Sequence, residues 1–382
     1  MKLAICVSWL NQYGGAEKVL EAAHELFPDA PIYTTIYRPQ AMPAAYRDWD
    51  IRVSALNRLP FIGRYHQLFL PFYPLGVESF DLSAYDVVLS ITSAFAHGII
   101  TPPDTLHICY CLTPARFLWS YQSYAQREGL GRLADVILQP MLNYLRLWDR
   151  LAADRVDHFI AISHEVQRRI RKYYRRESTI IYPPVETGRF HPADGYDDYF
   201  LIVSRLIPYK RIDLAVHAFN ALGLPLKIVG EGRDRNALQA LARPNIEFLG
   251  WVSNEELQKL LSRARAFIFP GLEDFGIAPV EAMAAGRPVI AYAGGGALDT
   301  VIPGMSGELF TALTPESLAS VIRDFDPTRY DPVIIRQHAE QFDRAVFQRK
   351  LERFVEEKFT AHRSEFEKRE NRPWSVHPSI RR

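Results

Sequence analysis

Short apolar runs alternate with amphipathic segments along most of this chain. The first run, Leu3–Val7, is followed by a Gly14-Gly15 turn and then by apolar residues at helical spacing up to Leu26. Short continuous apolar runs are typical of strands in a parallel sheet that is covered on both faces. The pattern therefore predicts an α/β fold. In the first half we predict strands at Leu3–Val7, Ile32–Ile36, Ile51–Ser54, Tyr85–Ile91, His107–Cys111 and His158–Ile162.

The alternation pauses between Tyr182 and Asp198, where proline, glycine and paired aspartates interrupt it. We interpret this segment as a domain boundary, and the length of 382 residues also suggests two domains. We predict a first domain over 1–190, a second over 191–345 and a C-terminal helix with a polar tail over 346–382; packing of that helix against the first domain is one option. Both domains are predicted to be doubly wound, Rossmann-like sheets facing a cleft. Ligands bind such sheets at the carboxyl ends of the strands.

The second domain has the cleaner alternation of strands and helices. We predict its strands at Tyr199–Ser204, Leu226–Val229, Ile246–Leu249, Ala266–Phe269 and Pro288–Tyr292. We predict its helices at Ile212–Leu222, Ala237–Leu241, Glu255–Leu261 and Ile277–Ala285. The C-terminal helix is predicted at about Val346–Phe359, and His362–Arg382 has no periodicity, so we expect it to be poorly ordered.

Composition excludes several classes of protein. The net charge of +1 lacks the basic excess of a dedicated nucleic-acid binder, and no apolar run approaches the roughly 18 residues of a membrane span. The three cysteines, Cys6, Cys109 and Cys111, lie in apolar runs, and an odd number does not suit a disulfide framework. We predict buried, reduced thiols and a cytoplasmic location. A metal pair formed by Cys109 and Cys111 is the alternative.

Three cations gather where the first strand of the second domain gives way to a helix. They are Arg205, Lys210 and Arg211. Cations at a helix N-terminus oppose the helix dipole, whereas an anion placed there would be favoured by the dipole, the free N–H groups and the cations together. A diphosphate is the natural candidate. The alternative is a solvated surface patch in which Asp213 supplies local compensation.

An acidic and glycine-rich segment follows a later strand. Glu273 lies in a loop, and Glu281 lies about one turn into the next helix among apolar neighbours that would bury it. A carboxylate in such a place can bind ribose hydroxyls; the alternative is a loop acid plus a helix-dipole carboxylate. Gly230-x-Gly232 and Gly294-Gly295-Gly296 also follow strands, and glycines let backbone N–H groups approach a ligand. Flexible surface turns are the alternative for both.

Taken together, these motifs resemble the retaining glycosyltransferases of family 4 (group 1), which have the GT-B fold. The resemblance rests on Ser204-Arg205-x4-Lys210, Gly230-x-Gly232, Glu273-x7-Glu281 and Gly286-x-Pro288-Val289, in this order. It extends into the first domain, where Gly14-Gly15-Ala16-Glu17 is similar to the family's glycine loop and Ile180–Val185 to the segment before the hinge. Tyr110–Arg116 with Trp119 resembles a subgroup of bacterial mannosyltransferases that build cell-surface polysaccharides.

The resemblance implies a role for each residue. Arg205 and Lys210 would hold the diphosphate of a nucleotide sugar and stabilise its charge as it leaves, so no metal cofactor is expected. Glu281 would bind the ribose. The implied catalytic residues are Arg205, Lys210 and Glu273, and the implied donor-binding residues are Gly14, Gly15, Gly230, Phe275, Gly276 and Glu281.

The implied reaction is retaining, metal-independent transfer of a hexose, with mannose from GDP-mannose ranked first, to a glycan or a polyprenyl-linked saccharide. Three residues depart from the pattern. Leu112 stands where the subgroup usually has a histidine near the donor sugar, and Asp299 stands where glutamate is common. His97 stands where lysine is frequent, and it either replaces the missing histidine or makes local hydrogen bonds. A non-catalytic nucleotide-sugar binder or scaffold of the same fold is the alternative function.

Two segments mix cations with apolar residues or concentrate cations. Asn57–Tyr73 contains both basic and aromatic residues, and a predicted helix carries a run of cations from Arg168 to Arg176. Such surfaces can bind anionic lipid, which would place the protein at the inner face of the cytoplasmic membrane; packed aromatics and a solvated helix face are the alternative. A P-loop and a dinucleotide-binding Gly-x-Gly-x-x-Gly are missing from the sequence.

Overall fold

Two parallel sheets, one in each half of the chain, organise the structure, a computed structural model that describes residues 1–62, 66–121 and 132–370. The strands of the first sheet are β1 (Leu3–Val7), β2 (Ile32–Thr34), β3 (Ile51–Val53), β4 (Val87–Thr92), β5 (Leu106–Cys111), β6 (His158–Ala161) and β7 (Ser178–Ile180). Those of the second are β8 (Phe200–Val203), β9 (Leu226–Val229), β10 (Ile246–Gly250), β11 (Ala266–Phe269), β12 (Val289–Tyr292) and β13 (Gly307–Phe310).

The two sheets share one strand order. It is β3-β2-β1-β4-β5-β6-β7 in the first and β10-β9-β8-β11-β12-β13 in the second. In each sheet the order reverses beside the first strand, between β1 and β4 and between β8 and β11, and this reversal opens a crevice at the carboxyl ends where ligands bind. The predicted α/β class with two doubly wound, Rossmann-like sheets is confirmed.

The central strands are mostly apolar because helices cover both of their faces. Every residue of β1, β4 and β5 is buried, as expected of parallel strands. Each predicted strand overlaps a strand of the structure. The prediction missed β7 and β13, whose runs are diluted by Ser178 and Thr179 in one strand and by Gly307 and Glu308 in the other.

Helices connect the strands, and several begin at a side-chain cap. Ser163, Ser253 and Thr314 each accept a hydrogen bond from the N–H three residues later, which satisfies a free donor of the first turn. In the first half the helices are α1 (Gly15–Leu26), α2 (Tyr73–Glu78), α3 (Arg116–Trp119), α4 (Arg132–Ala152) and α5 (His164–Arg169). After it come α6 (Ile212–Leu222), α7 (Arg235–Leu241), α8 (Asn254–Arg263), α9 (Ile277–Ala284), α10 (Ala297–Thr300), α11 (Pro315–Arg323), α12 (Pro332–Glu340) and α13 (Arg344–Glu370).

The chain crosses between the two halves twice, and the two crossings lie side by side. The Val185 N–H donates to the Phe342 carbonyl at 3.1 Å, and the Val185 carbonyl accepts from the Arg344 N–H at 3.0 Å. Helix α13 then packs on the first half of the chain, where Phe347 meets Tyr110 edge-on with ring centroids 5.6 Å apart. The C-terminal helix therefore belongs spatially with the first sheet.

Helix α13 is longer than the predicted Val346–Phe359. It continues to Glu370, so the expectation of poor order is wrong for the first part of His362–Arg382. Its polar end contains ion pairs at helical spacing, such as Arg363 with Glu367 at 3.1 Å, and such pairs support a helix that has no apolar periodicity. The rest of the predicted tail, 371–382, lies outside the described residues.

Candidate active site

The crevice of the second sheet carries the three predicted catalytic side chains. Arg205 and Lys210 follow β8, and Glu273 follows the neighbouring strand β11. The Lys210 ammonium forms an ion pair with Glu273 Oε1, in which the two side chains are only 16% and 15% exposed. Arg205 joins them through Tyr209, because its Nη2 donates to the Tyr209 hydroxyl at 3.2 Å. The structure thus brings these residues into one cluster at the place where the topology favours a ligand.

Lys210 lies in a strongly cationic environment. Burial, followed by the guanidinium groups of Arg205 and Arg116, lowers the pKa of Lys210 to about 7. Asp274 favours the ammonium form, and the Glu273 carboxylate acts in the same sense. An anion bound among these cations would stabilise their charged forms, which is what the predicted diphosphate site needs.

The glycine loops pack against protein backbone. A Cβ on Gly230, whose φ is +126°, would lie 2.0 Å from the Ser204 carbonyl oxygen. A Cβ on Gly296 would lie 2.2 Å from Phe275 Cα, and the Gly296 N–H donates to the Glu273 carbonyl at 2.9 Å. These glycines therefore allow the two site loops to pack closely against neighbouring backbone. From the sequence alone they are explained instead by close approach of the backbone to a ligand. The Phe275 ring is buried and stacks on Tyr182, so only its backbone is available to a donor.

Glu281 meets the first half of the chain. It lies on α9, is 8% exposed, and accepts a hydrogen bond at 3.1 Å from the ammonium of Lys18 on α1. The starts of α1 and α9 also meet, since a Cβ on Gly15 would lie 3.3 Å from Ile277 Cδ1. The predicted ribose carboxylate and the Gly14-Gly15 loop thus face each other across the cleft.

A third carboxylate at the cleft, Asp274, was missed by the sequence interpretation. Asp274 is 7% exposed, and it accepts from Arg116 Nε at 3.1 Å and from Arg169 Nη1 at 2.6 Å. Both arginines come from the first half of the chain. The adjacency of Asp274 to Glu273 was the available signal, but the pairing depends on how the two halves meet.

Asp299, the residue that departs from the usual glutamate, also joins the two halves. Its side chain is 1% exposed, and it accepts from the Tyr182 hydroxyl at 3.1 Å and from the His164 N–H at 3.2 Å. His164 Nδ1 forms a further short contact with the same carboxylate. The carboxylate of Asp299 therefore makes its hydrogen bonds across the domain boundary, to Tyr182 and His164.

The option that His97 replaces the missing histidine is wrong. Its side chain is fully buried and its Nε2 bonds to the Asp149 carbonyl at 3.2 Å, so it cannot reach a donor in the cleft. Leu112 instead lines a small cavity of about 30 Å³ together with Glu17 and Ser93. Among the described residues that line this cavity, Glu17 is the one with an ionisable side chain.

Glu17 predicts a measurable pH dependence of stability. Burial raises its pKa to about 7, against the opposing hydrogen bonds from backbone N–H groups. The folded state therefore holds this proton more tightly than the unfolded state, so the wild type loses stability as pH rises from about 4.5 to about 7. We expect Glu17→Gln to gain stability relative to the wild type by up to about 3 kcal/mol between pH 5 and pH 8. Chemical denaturation at both pH values measures this, and a constant difference would contradict it.

The two segments predicted to bind lipid, Asn57–Tyr73 and Arg168–Arg176, differ in how many of their side chains are bound within the protein. Arg64 and Tyr65 lie outside the described residues, whereas Phe61 is 74% exposed. In the other segment, Arg176 donates to three backbone carbonyls and Arg169 is paired in the cleft, so part of that run serves the protein's own structure. Contact with a membrane stays a prediction. Within the described ranges, no helix combines the length and hydropathy that crossing a bilayer requires.

The predicted thiols and metal groups have a simple outcome. All three cysteines are free and buried, as predicted. Over residues 1–62, 66–121 and 132–370, no group of three or more His, Cys, Asp and Glu side chains is arranged to hold a metal ion.

Comparison with known proteins defines the class. Residues 13–189 match the family model Glycosyltransferase Family 4, and residues 187–328 match Glycosyl transferases group 1. The fold resembles the crystal structure of Anabaena Alr3699/HepE in complex with UDP, with a TM-score of 0.70 and 17% identity over 94% of this chain and 100% of that one. The two family models together cover residues 13–328, and the likeness to HepE shows that the two Rossmann-like domains have the GT-B fold. The chain belongs to the group 1, family 4 glycosyltransferases.

Two curated relatives are mannosyltransferases by name. The chain is 29% identical over 159 residues to the O-antigen chain mannosyltransferase RfbU of Salmonella typhimurium, covering 38% of this chain and 45% of that protein. It is 31% identical over 186 residues to a GDP-mannose-dependent monoacylated alpha-(1-6)-phosphatidylinositol monomannoside mannosyltransferase of Corynebacterium glutamicum, covering 40% and 49%. The matches span about half the length of these relatives.

Proposed function

We propose that this protein transfers a hexosyl group, with mannose ranked first, from a nucleoside-diphosphate sugar to a glycan or lipid-linked saccharide in cell-surface polysaccharide synthesis. One observation carries the proposal: Arg205 and Lys210 converge beside Glu273 at the crevice of the second sheet. The names of both relatives support mannose, and the name of the Corynebacterium relative supports a GDP donor, whereas the HepE structure holds UDP. The buried free cysteines support a cytoplasmic location.

In this proposal the chain's own cations stabilise the leaving group. The bond between the anomeric carbon and the diphosphate oxygen breaks, and negative charge develops on that oxygen next to Arg205 and Lys210. The acceptor hydroxyl attacks the same face of the sugar, forms the new glycosidic bond and gives its proton to the departing phosphate. Glu281 holds the ribose and Glu273 contacts the sugar. Because Arg205 and Lys210 supply the positive charge at the diphosphate, no step requires a metal ion.

Transfer assays with a donor panel test this function. We expect purified protein, given GDP-, UDP- or dTDP-hexoses and membrane extract, to form a glycan product with one donor and with retention of the anomeric configuration. Product formation should survive excess EDTA, because side chains supply the positive charge. Nucleotide-dependent thermal stabilisation, which follows RT ln(1 + [L]/Kd), identifies the base.

Two results would contradict the proposal. Tight nucleotide binding without transfer to any acceptor would identify a non-catalytic binder, the function that Leu112 makes conceivable. Complete loss of activity with EDTA, restored by added Mg²⁺ or Mn²⁺, would show that a metal ion rather than Arg205 and Lys210 stabilises the leaving group.

A further inference from the structure

Three cations from both halves of the chain surround the ring of Tyr209. The Arg205 Nη2 lies 3.2 Å from the Tyr209 hydroxyl, and the Lys210 Nζ lies 5.2 Å from the ring centroid. The guanidinium carbon of Arg116 lies 5.8 Å from the same centroid. Arg116 belongs to α3 in the first half of the chain, whereas the other two follow β8. The cationic cluster is therefore assembled from both walls of the cleft.

The cluster has fewer paired carboxylates than cations. Lys210 pairs with Glu273 and Arg116 with Asp274. Within the described part of the chain no carboxylate forms an ion pair with Arg205, whose charge acts on Glu17 only from a greater distance. The cost is visible at Lys210, where burial and then the charges of Arg205 and Arg116 lower the pKa to about 7. Like charges held this close are stabilised when an anion binds among them.

The orientation of Arg116 leaves part of its guanidinium open. Its Nε and Nη2 both donate to Asp274 Oδ2, while Oδ1 of the same carboxylate accepts from Arg169. No described residue accepts a hydrogen bond from Arg116 Nη1, and the side chain is 35% exposed. A planar guanidinium fixed along one edge can still present N–H groups to a phosphate on its open side.

We propose that Arg116 is a third donor-contacting cation, which reaches from the first domain to the diphosphate of the nucleotide sugar, and that Asp274 positions it. This inference rests on the proposed function, because it uses the same donor. It adds that the diphosphate site is complete only when both walls of the cleft contribute. The first domain then senses the charged part of the donor as well as the acceptor.

Four variants test this role: Arg116→Gln, Arg116→Lys, Asp274→Asn and the control Arg150→Gln. Arg150 is 33% exposed and pairs with the single carboxylate of Asp154, so it matches Arg116 in exposure and charge but lies on α4. We measure kcat and KM for the donor, Kd for UDP and GDP, and thermal stability. We expect Arg116→Gln to lower kcat/KM about 100-fold, Arg116→Lys to recover part of that loss, and the control to match the wild type.

Asp274→Asn separates contact with the donor from a structural role. It replaces the ion pairs of Asp274 with Arg116 and Arg169 by hydrogen bonds to a neutral acceptor but keeps the Arg116 charge, so we expect its loss in kcat/KM to be less than about tenfold. An equal loss in Asp274→Asn and Arg116→Gln would overturn the inference, since Arg116 would then act only through the ion pair. Wild-type activity in Arg116→Gln would also overturn it while leaving the proposed function intact. Failure of the wild type to bind any nucleotide or transfer any sugar would instead reject the proposed function itself.

Discussion

Replacement of Lys210 by alanine is expected to lower kcat for glycosyl transfer about a thousandfold, because one preorganised charge donor commonly accounts for a factor of about 10² to 10³. Lys210 is buried beside Glu273 and shares Tyr209 with Arg205. The substitution removes its charge and also leaves the Glu273 carboxylate facing the leaving phosphate. Both effects raise the energy of the transition state, in which negative charge develops on the diphosphate. Steady-state assays with the donor identified by thermal stabilisation measure kcat.

Two further variants frame this result. Lys210→Arg keeps a positive charge and should retain more activity than the alanine variant. Lys259→Ala removes an exposed lysine from α8 in the same domain and should leave kcat unchanged. If Lys210→Ala retained more than about a tenth of the wild-type kcat with its thermal stability intact, Lys210 would have no part in stabilising the leaving group.

Substitution of Glu281 by glutamine is expected to raise the Kd for the donor nucleotide about 30-fold, equivalent to about 2 kcal/mol. Glu281 is buried, and its position on α9 gives it the role of the ribose-binding carboxylate in our proposal. Glutamine keeps the size of the side chain but weakens its hydrogen bonds to hydroxyl groups, because bonds to an ionised acceptor are the stronger ones. Isothermal titration calorimetry with GDP and UDP measures the change.

Deoxynucleotides and a second variant identify the cause of that loss. The wild type should bind the 2′,3′-dideoxy nucleotide much more weakly than the natural one, whereas Glu281→Gln should bind the two almost equally. Lys18→Met breaks the ion pair of Lys18 with Glu281 but leaves the carboxylate, so its affinity should stay near that of the wild type. An equal loss in Lys18→Met would show that the ion pair, and not contact with ribose, is what the Glu281 variant removes.

Local sequence pattern was sufficient to place one part of the candidate site, because the fold brings the carboxyl ends of neighbouring strands together. Arg205 follows one strand and Glu273 follows another, and any doubly wound sheet with this order places those two ends side by side. The alternation of apolar runs was sufficient to predict both strands. No knowledge of the other half of the chain was needed for this part of the site.

The interdomain pairs could not be predicted in the same way. Arg116 and Asp274 are 158 residues apart, and Lys18 and Glu281 are 263 residues apart. Their contact depends on the relative orientation of two separately folded sheets, which no local periodicity encodes. The fate of His97 is similar, since its burial against Asp149 arises from packing between α4 and the loop after β4.

The paired crossings at Val185 and at Phe342 to Arg344 restrict how the two domains move. If a single segment connected the domains, one domain could rotate freely about it. Here two segments lie side by side and are joined by two backbone hydrogen bonds. Rotation of one domain about the connection would break these hydrogen bonds, whereas bending across them would not. We therefore expect relative motion of the two domains to be a bend about one axis at this joint, which would keep Arg116 and Lys18 aligned with α9 and the loop before it.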